Sequence, residues 1–134
     1  MKIRASVVCF VVICLQWSVS AHHATALQYD IAKTVRLKGV VSKLDWANPH
    51  AHLHLDVKDA DGNAEHWDVE LGSPGAVIVS GLSRAALSPG VTVTVVGYPG
   101  KAGSVTGPSG SEAPLCATKV TLSDGTTAEF VVGI

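Results

Sequence analysis

From Val35 to the end of the chain, apolar residues recur mostly at every second position, the period of half-buried β-strands. Val35 to Trp46 is the first such run. Val35, Leu37, Gly39, Val41 and Lys43 share one parity; Arg36, Lys38, Val40, Ser42, Leu44 and Trp46 share the other. A glycine in mid-run predicts a bend or bulge at Gly39, and Asn48-Pro49 ends the run. His50 to Val57 alternates most cleanly, with Ala51, Leu53, Leu55 and Val57 on one face and His50, His52, His54 and Asp56 on the other. His66 to Leu71 follows, with Trp67, Val69 and Leu71 opposite His66, Asp68 and Glu70.

The turn between these two runs fixes their register. A two-residue Asp61-Gly62 loop would set Val57 against His66 and mix the faces. A three-residue loop, Ala60-Asp61-Gly62, puts Gly62 in the left-handed position and sets Leu55 against Trp67 and Leu53 against Val69. The second register is therefore predicted. It places Asp56 by His66, His54 by Asp68 and His52 by Glu70 on an outer, solvated face.

Ser73-Pro74 opens a helix, with serine as cap and proline in the first turn. Its apolar stripe runs to Ser88 and is weakened by Gly81, so one short helix and a loop is the expectation. Val91 to Tyr98, Leu115 to Leu122 and Thr126 to Val132 complete the strands, and a Gly/Ser/Pro-rich loop from Pro99 to Pro114 interrupts them. A helix between the third and fourth strands of a five-strand barrel is the OB order, so the predicted fold is all-β with one short helix, a small OB-like β-barrel. An immunoglobulin-like sandwich is the alternative, disfavoured by the helix.

The first 21 residues change the picture. Lys2 and Arg4, an apolar run from Ala5 to Trp17, and the small residues Ser18 to Ala21 follow the order of a secretory signal. The apolar run is shorter than the roughly 20 residues of a spanning helix. The expected layout is a signal over 1–21 and one domain over 22–134, with an arm over 22–34. The expected location is the periplasm or the exterior, with no stable membrane anchor after cleavage. The remaining 113 residues hold eight Lys and Arg against eleven Asp and Glu, a balance of −3 with histidines neutral. That balance argues against a nucleic-acid partner. Only Cys116 remains of three cysteines. It reads as a small buried hydrophobe, and no internal disulfide can form.

Several spaced motifs resemble a family of small exported bacterial proteins with a domain of unknown function. They are Ala21-His22-His23, Leu37-Lys38-Gly39-Val40-Val41, Trp46-Ala47-Asn48-Pro49-His50, Asp56 to Gly62, Gly72-Ser73-Pro74 and Leu87-Ser88-Pro89-Gly90. The resemblance runs from about Ala21 to Thr127. It implies a compact OB-type barrel and brings no activity with it. His22, His23 and His50 belong to the shared pattern. His52 and His54 stand where many members carry aromatic or aliphatic residues. Thr25-Ala26 replaces a common aromatic, and the loop from Gly103 to Pro114 is longer here.

All six histidines lie after the signal. Cleavage after Ala21 would expose an α-amine beside His22 and His23, a donor set suited to Cu(II), with His50 as a further ligand. His52 and His54, two apart on a strand, can converge on copper or zinc with help from neighbours. The plainer reading is a solvated face of His–Asp and His–Glu pairs. Trp46 reads either as barrel-end core or as the aromatic wall of a ligand site. No Gly-x-Ser-x-Gly elbow, phosphate loop or activated cysteine is present. The expectation is a binding protein rather than an enzyme, taking a metal ion. The rival is a metal-independent module for a small molecule, peptide or envelope protein.

Overall fold

The first strand, β1 (Val35–Asp45), pairs antiparallel with both β2 (His52–Lys58) and β4 (Thr92–Pro99), and so runs through two halves of the structure. The computed structural model describes residues 24–105 and 110–132. The expected signal, with His22 and His23, lies outside the described residues. The other elements are α1 (Ala24–Gln28), β3 (Ala64–Glu70), α2 (Pro74–Val79), a 3-10 turn (Ala85–Leu87), β5 (Ala113–Leu122) and β6 (Thr127–Glu129). The sheet order is β3-β2-β1-β4-β5-β6, and a parallel pairing of β3 with β5 closes the first five strands into a barrel. This is the OB topology, with α2 between the third and fourth strands.

The inward parity supplies the core. Leu37, Val41, Leu53, Leu55, Val69, Val93, Val95, Leu115 and Val120 are buried, and Val77, Leu82 and Leu87 add the α2 segment to the same cluster. Each such side chain contributes roughly 1.5–3 kcal/mol relative to exposure. Ser73 caps α2 as expected, its hydroxyl accepting from the Ala76 N–H at 3.2 Å. The stripe beyond it divides into α2 and the separate 3-10 turn. The arm contains a helical turn, α1, that no period in its sequence had signalled.

The β2–β3 hairpin has the predicted register: Leu53 pairs with Val69, Leu55 with Trp67 and Asp56 with His66. Gly62 takes the left-handed turn position with φ +86°. β1 departs from expectation. Its register shifts between Val41 and Lys43, so the bulge sits at Ser42 rather than Gly39. Strict alternation would have sent Lys43 and Asp45 inward with Val41. The bulge reverses the parity, so Leu44 meets the core and Asp45 turns outward opposite His52. Gly39 answers a different need: a Cβ there would lie 2.8 Å from the Asp56 carbonyl oxygen on β2.

Candidate functional site

The alternation that buries Leu53 and Leu55 puts His52 and His54 on the outer face of β2, with Asp68 and Glu70 beside them on β3. His50 precedes β2 and follows the cis Asn48–Pro49 bond. Four histidines on this face and its edge are each held by a carboxylate. His50 Nδ1 meets Glu70 at 2.5 Å, His52 Nδ1 meets Asp68 at 2.7 Å, and His66 Nδ1 meets Asp56 at 2.8 Å. His54 meets two carboxylates: Glu112 through Nδ1 and Asp45 through Nε2, each at 3.0 Å.

The expected solvated face is therefore only partly solvated. His54 has 7% of its side chain exposed, whereas His50 has 50% and His52 36%. Glu112 covers His54 because Ala113 pairs with Trp67 across the barrel closure, carrying the preceding residue onto the hairpin. Asp45 reaches it through the Ser42 bulge.

Glu70 is shared. Its second oxygen accepts from the Tyr29 hydroxyl at 2.5 Å. Tyr29 follows α1 and is buried, and its arm is pinned by backbone bonds from Asp30 N–H to the Pro99 oxygen and from Lys101 N–H to the Gln28 oxygen. Burial, followed by the Glu70 carboxylate, pushes the Tyr29 phenol well above its ordinary range. The hydrogen bond to Asp68 raises His52 above the usual histidine value. Lys43 holds Asp45 below the usual carboxylate range, with His54 adding to the effect. Burial, with Glu70 nearby, pushes the Cys116 thiol up to about 12.

The structure brings His50, His52 and His54 onto one face with Asp45, Asp68, Glu70 and Glu112. Among the described residues, no group of three or more His, Cys, Asp or Glu converges so as to hold a metal ion. Trp46 packs against the core at the end of β1. Trp67 instead lines a groove of about 320 Å³ with Val105, Ser111 and Ala113. Tyr29, Asp45 and Glu112 were not singled out from sequence. No local pattern marks them, since Tyr29 is 41 residues from Glu70 and Glu112 is 58 from His54. No helix among the described residues is long and apolar enough to cross a membrane.

The fold and this face together define an OB-type β-barrel with a histidine–carboxylate network where such barrels commonly take ligands, the β2–β3 face and the adjoining loops. The chain belongs to a family of unknown function, DUF6152, whose model matches residues 10–109. No curated protein matches it significantly. Among solved structures it is similar to the mitochondrial single-stranded DNA binding protein Rim1 of S. cerevisiae. One crystal structure of Rim1 gives a TM-score of 0.50 at 12% identity, covering 70% of this chain and 97% of that one. A second gives 0.45 at 12% identity, covering 68% and 93%. The S. pombe Stn1-Ten1 complex gives 0.43 at 18% identity, covering 72% of this chain and 57% of that one.

At these identities the likeness establishes the fold alone, and it corrects one expectation. The exclusion of a nucleic-acid partner from net charge does not stand, because the barrel is shared with a single-stranded DNA binding protein. Net charge averages the whole surface, whereas a partner meets one face. The faces here differ: carboxylates gather on the hairpin, while Arg36 and Lys38 project from β1 with no ion-pair partner among the described residues.

Proposed function

We propose that this protein is an exported binding protein that takes a copper ion on the outer face of the β2–β3 hairpin. His50 and His52 are its strand ligands, and His22 and His23 are the further ones. The observation that carries the reading is the double role of Glu70. It fixes His50 through Nδ1, leaving Nε2 for a ligand, and it anchors the arm that leads to His22 and His23. A carboxylate behind a histidine is the usual outer shell of a metal-bound imidazole. Asp68 does the same for His52. Five residues lie between His23 and Tyr29; they form α1, which at about 1.5 Å per residue spans only about 7.5 Å, so the segment that carries the terminal imidazoles starts close to Tyr29 and the Glu70 carboxylate it bonds. The acidic surroundings favour a cation. His54 has both nitrogens engaged and acts as a structural clamp rather than a ligand.

The test is titration of Cu(II) into the processed protein, followed by electron paramagnetic resonance, with Zn(II) as comparator. A nitrogen-rich Cu(II) signal, weakened at least tenfold by His50→Ala and by deletion of His22 and His23, is expected. Binding no tighter than micromolar, or unchanged in both variants, overturns the proposal.

A second reading has its own observation. Two grooves flank the loop between β4 and β5, one beside Trp67 and one of about 480 Å³ lined by Leu27, Tyr29, Lys101 and Pro114. A small molecule, peptide or envelope protein seated there would bind in chelator and would be lost with Trp67→Ala.

A further inference from the structure

We infer that Glu70 is a positioning residue. It locks His50 in the Nδ1–H tautomer with Nε2 presented outward, and through Tyr29 it couples that ring to docking of the N-terminal arm. The functional consequence rests on His50 being a ligand; the geometry does not.

The donor inventory fixes the tautomer. An ionised carboxylate only accepts. One Glu70 oxygen takes the Tyr29 O–H and the other faces His50 Nδ1 at 2.5 Å. A bare Nδ1 lone pair so close to a carboxylate oxygen would be repelled, so the contact favours the proton on Nδ1 and, in the neutral ring, the lone pair on Nε2. The His50 side chain is half-exposed, which leaves room for an ion to approach the ring. Nε2 makes no hydrogen bond to the described residues.

The coupling follows from burial. Tyr29 is 6% exposed, and Glu70 is the hydrogen-bond partner of its hydroxyl. A buried hydroxyl without a partner is costly, so the arm docks well only when Glu70 is held toward it. β3 supplies that hold, since Glu70 pairs with His52 on one side and Cys116 on the other. A cation at His50 Nε2 would draw charge from the ring, strengthen the Nδ1 contact with Glu70 and so steady the acceptor that Tyr29 uses. By linkage, a docked arm favours the ion to the same degree.

The experiment combines nitrogen-15 spectra of the imidazoles with amide hydrogen exchange, on the full processed chain. In the wild type, without metal, His50 is expected as the Nδ1–H tautomer. Glu70→Ala should shift it toward Nε2–H and speed exchange of the Asp30 and Lys101 amides about tenfold. Tyr29→Phe should speed the same amides while leaving the tautomer in place. Glu70→Gln, which keeps shape and an acceptor oxygen, should restore much of the arm protection. An Nε2–H wild-type ring, or arm exchange unchanged in both Glu70→Ala and Tyr29→Phe, overturns the inference. Copper binding is read separately. A wild type that takes no copper yet shows these responses ends the copper reading and leaves the positioning role standing. Copper binding with an Nε2–H ring does the reverse.

Discussion

His54 on β2 and Glu112 before β5 are 58 residues apart in sequence, yet the Glu112 carboxylate covers the imidazole with both oxygens 3.0 Å from Nδ1. The contact ties the loop between β4 and β5 to the hairpin at the barrel closure. It also accounts for a histidine buried on a face whose other histidines are wet.

Breaking this clamp should cost stability. His54→Ala removes a partner that both Glu112 oxygens and Asp45 use and leaves a cavity in a buried position, and is expected to lower unfolding free energy by about 2 kcal/mol. Glu112→Ala should cost a similar amount. In a double-mutant cycle by urea unfolding, the pair should be strongly non-additive. Additive single effects would mean that the two side chains are not coupled.

His52 gives stability a pH dependence. Its folded value is raised by Asp68. The contribution is therefore complete below the unfolded value of about 6.5 and is lost as pH rises through the higher folded value. The advantage of wild type over His52→Gln should be greatest near pH 6 and shrink toward pH 8, as urea midpoints at each pH would show. A constant or growing gap would contradict the pairing.

Two glycines should respond oppositely to alanine. At Gly39 the added methyl meets the Asp56 carbonyl oxygen at 2.8 Å and the Val57 side chain at 2.9 Å, so Gly39→Ala should destabilise by about 1–3 kcal/mol. At Gly75, in the first turn of α2, nothing lies within 4 Å of the new Cβ, and Gly75→Ala should stabilise by about 0.5–1 kcal/mol. Thermal unfolding of both variants reads the contrast.

Cys116 should be inert in the native state. Its thiol is buried and pushed up to about 12, so little thiolate is present at neutral pH. A thiol reagent should label it fully in guanidinium and only slowly without denaturant. Fast native labelling would show that the β3–β5 closure opens.

Much of the architecture was readable because it is local. Alternation assigned Leu53, Leu55 and Val69 to the core, and the Ala60-Asp61-Gly62 loop fixed the hairpin register, since a slip of one residue would turn every apolar side chain outward. Strand order with an inserted helix pointed to the barrel. Strand boundaries shifted by one to three residues, the last strand ending at Glu129 rather than Val132, and α1 was missed for want of an apolar period. The histidine partners were read less well. Asp56 faces His66 as the register required, but His52 bonds diagonally to Asp68 rather than to Glu70 opposite.

Composition and spacing alone thus settled which residues form strands, which faces are apolar and which histidines share a surface, because each follows from side-chain period and turn chemistry over a few residues. Folding in three dimensions chose the rest. The Ser42 bulge turned Asp45 outward, the β3–β5 closure laid Glu112 on His54, and the returning arm set Tyr29 on Glu70. Those contacts join residues far apart in the chain, and they arise from how the whole barrel closes around its core, a cooperative packing outcome that no short stretch of sequence encodes.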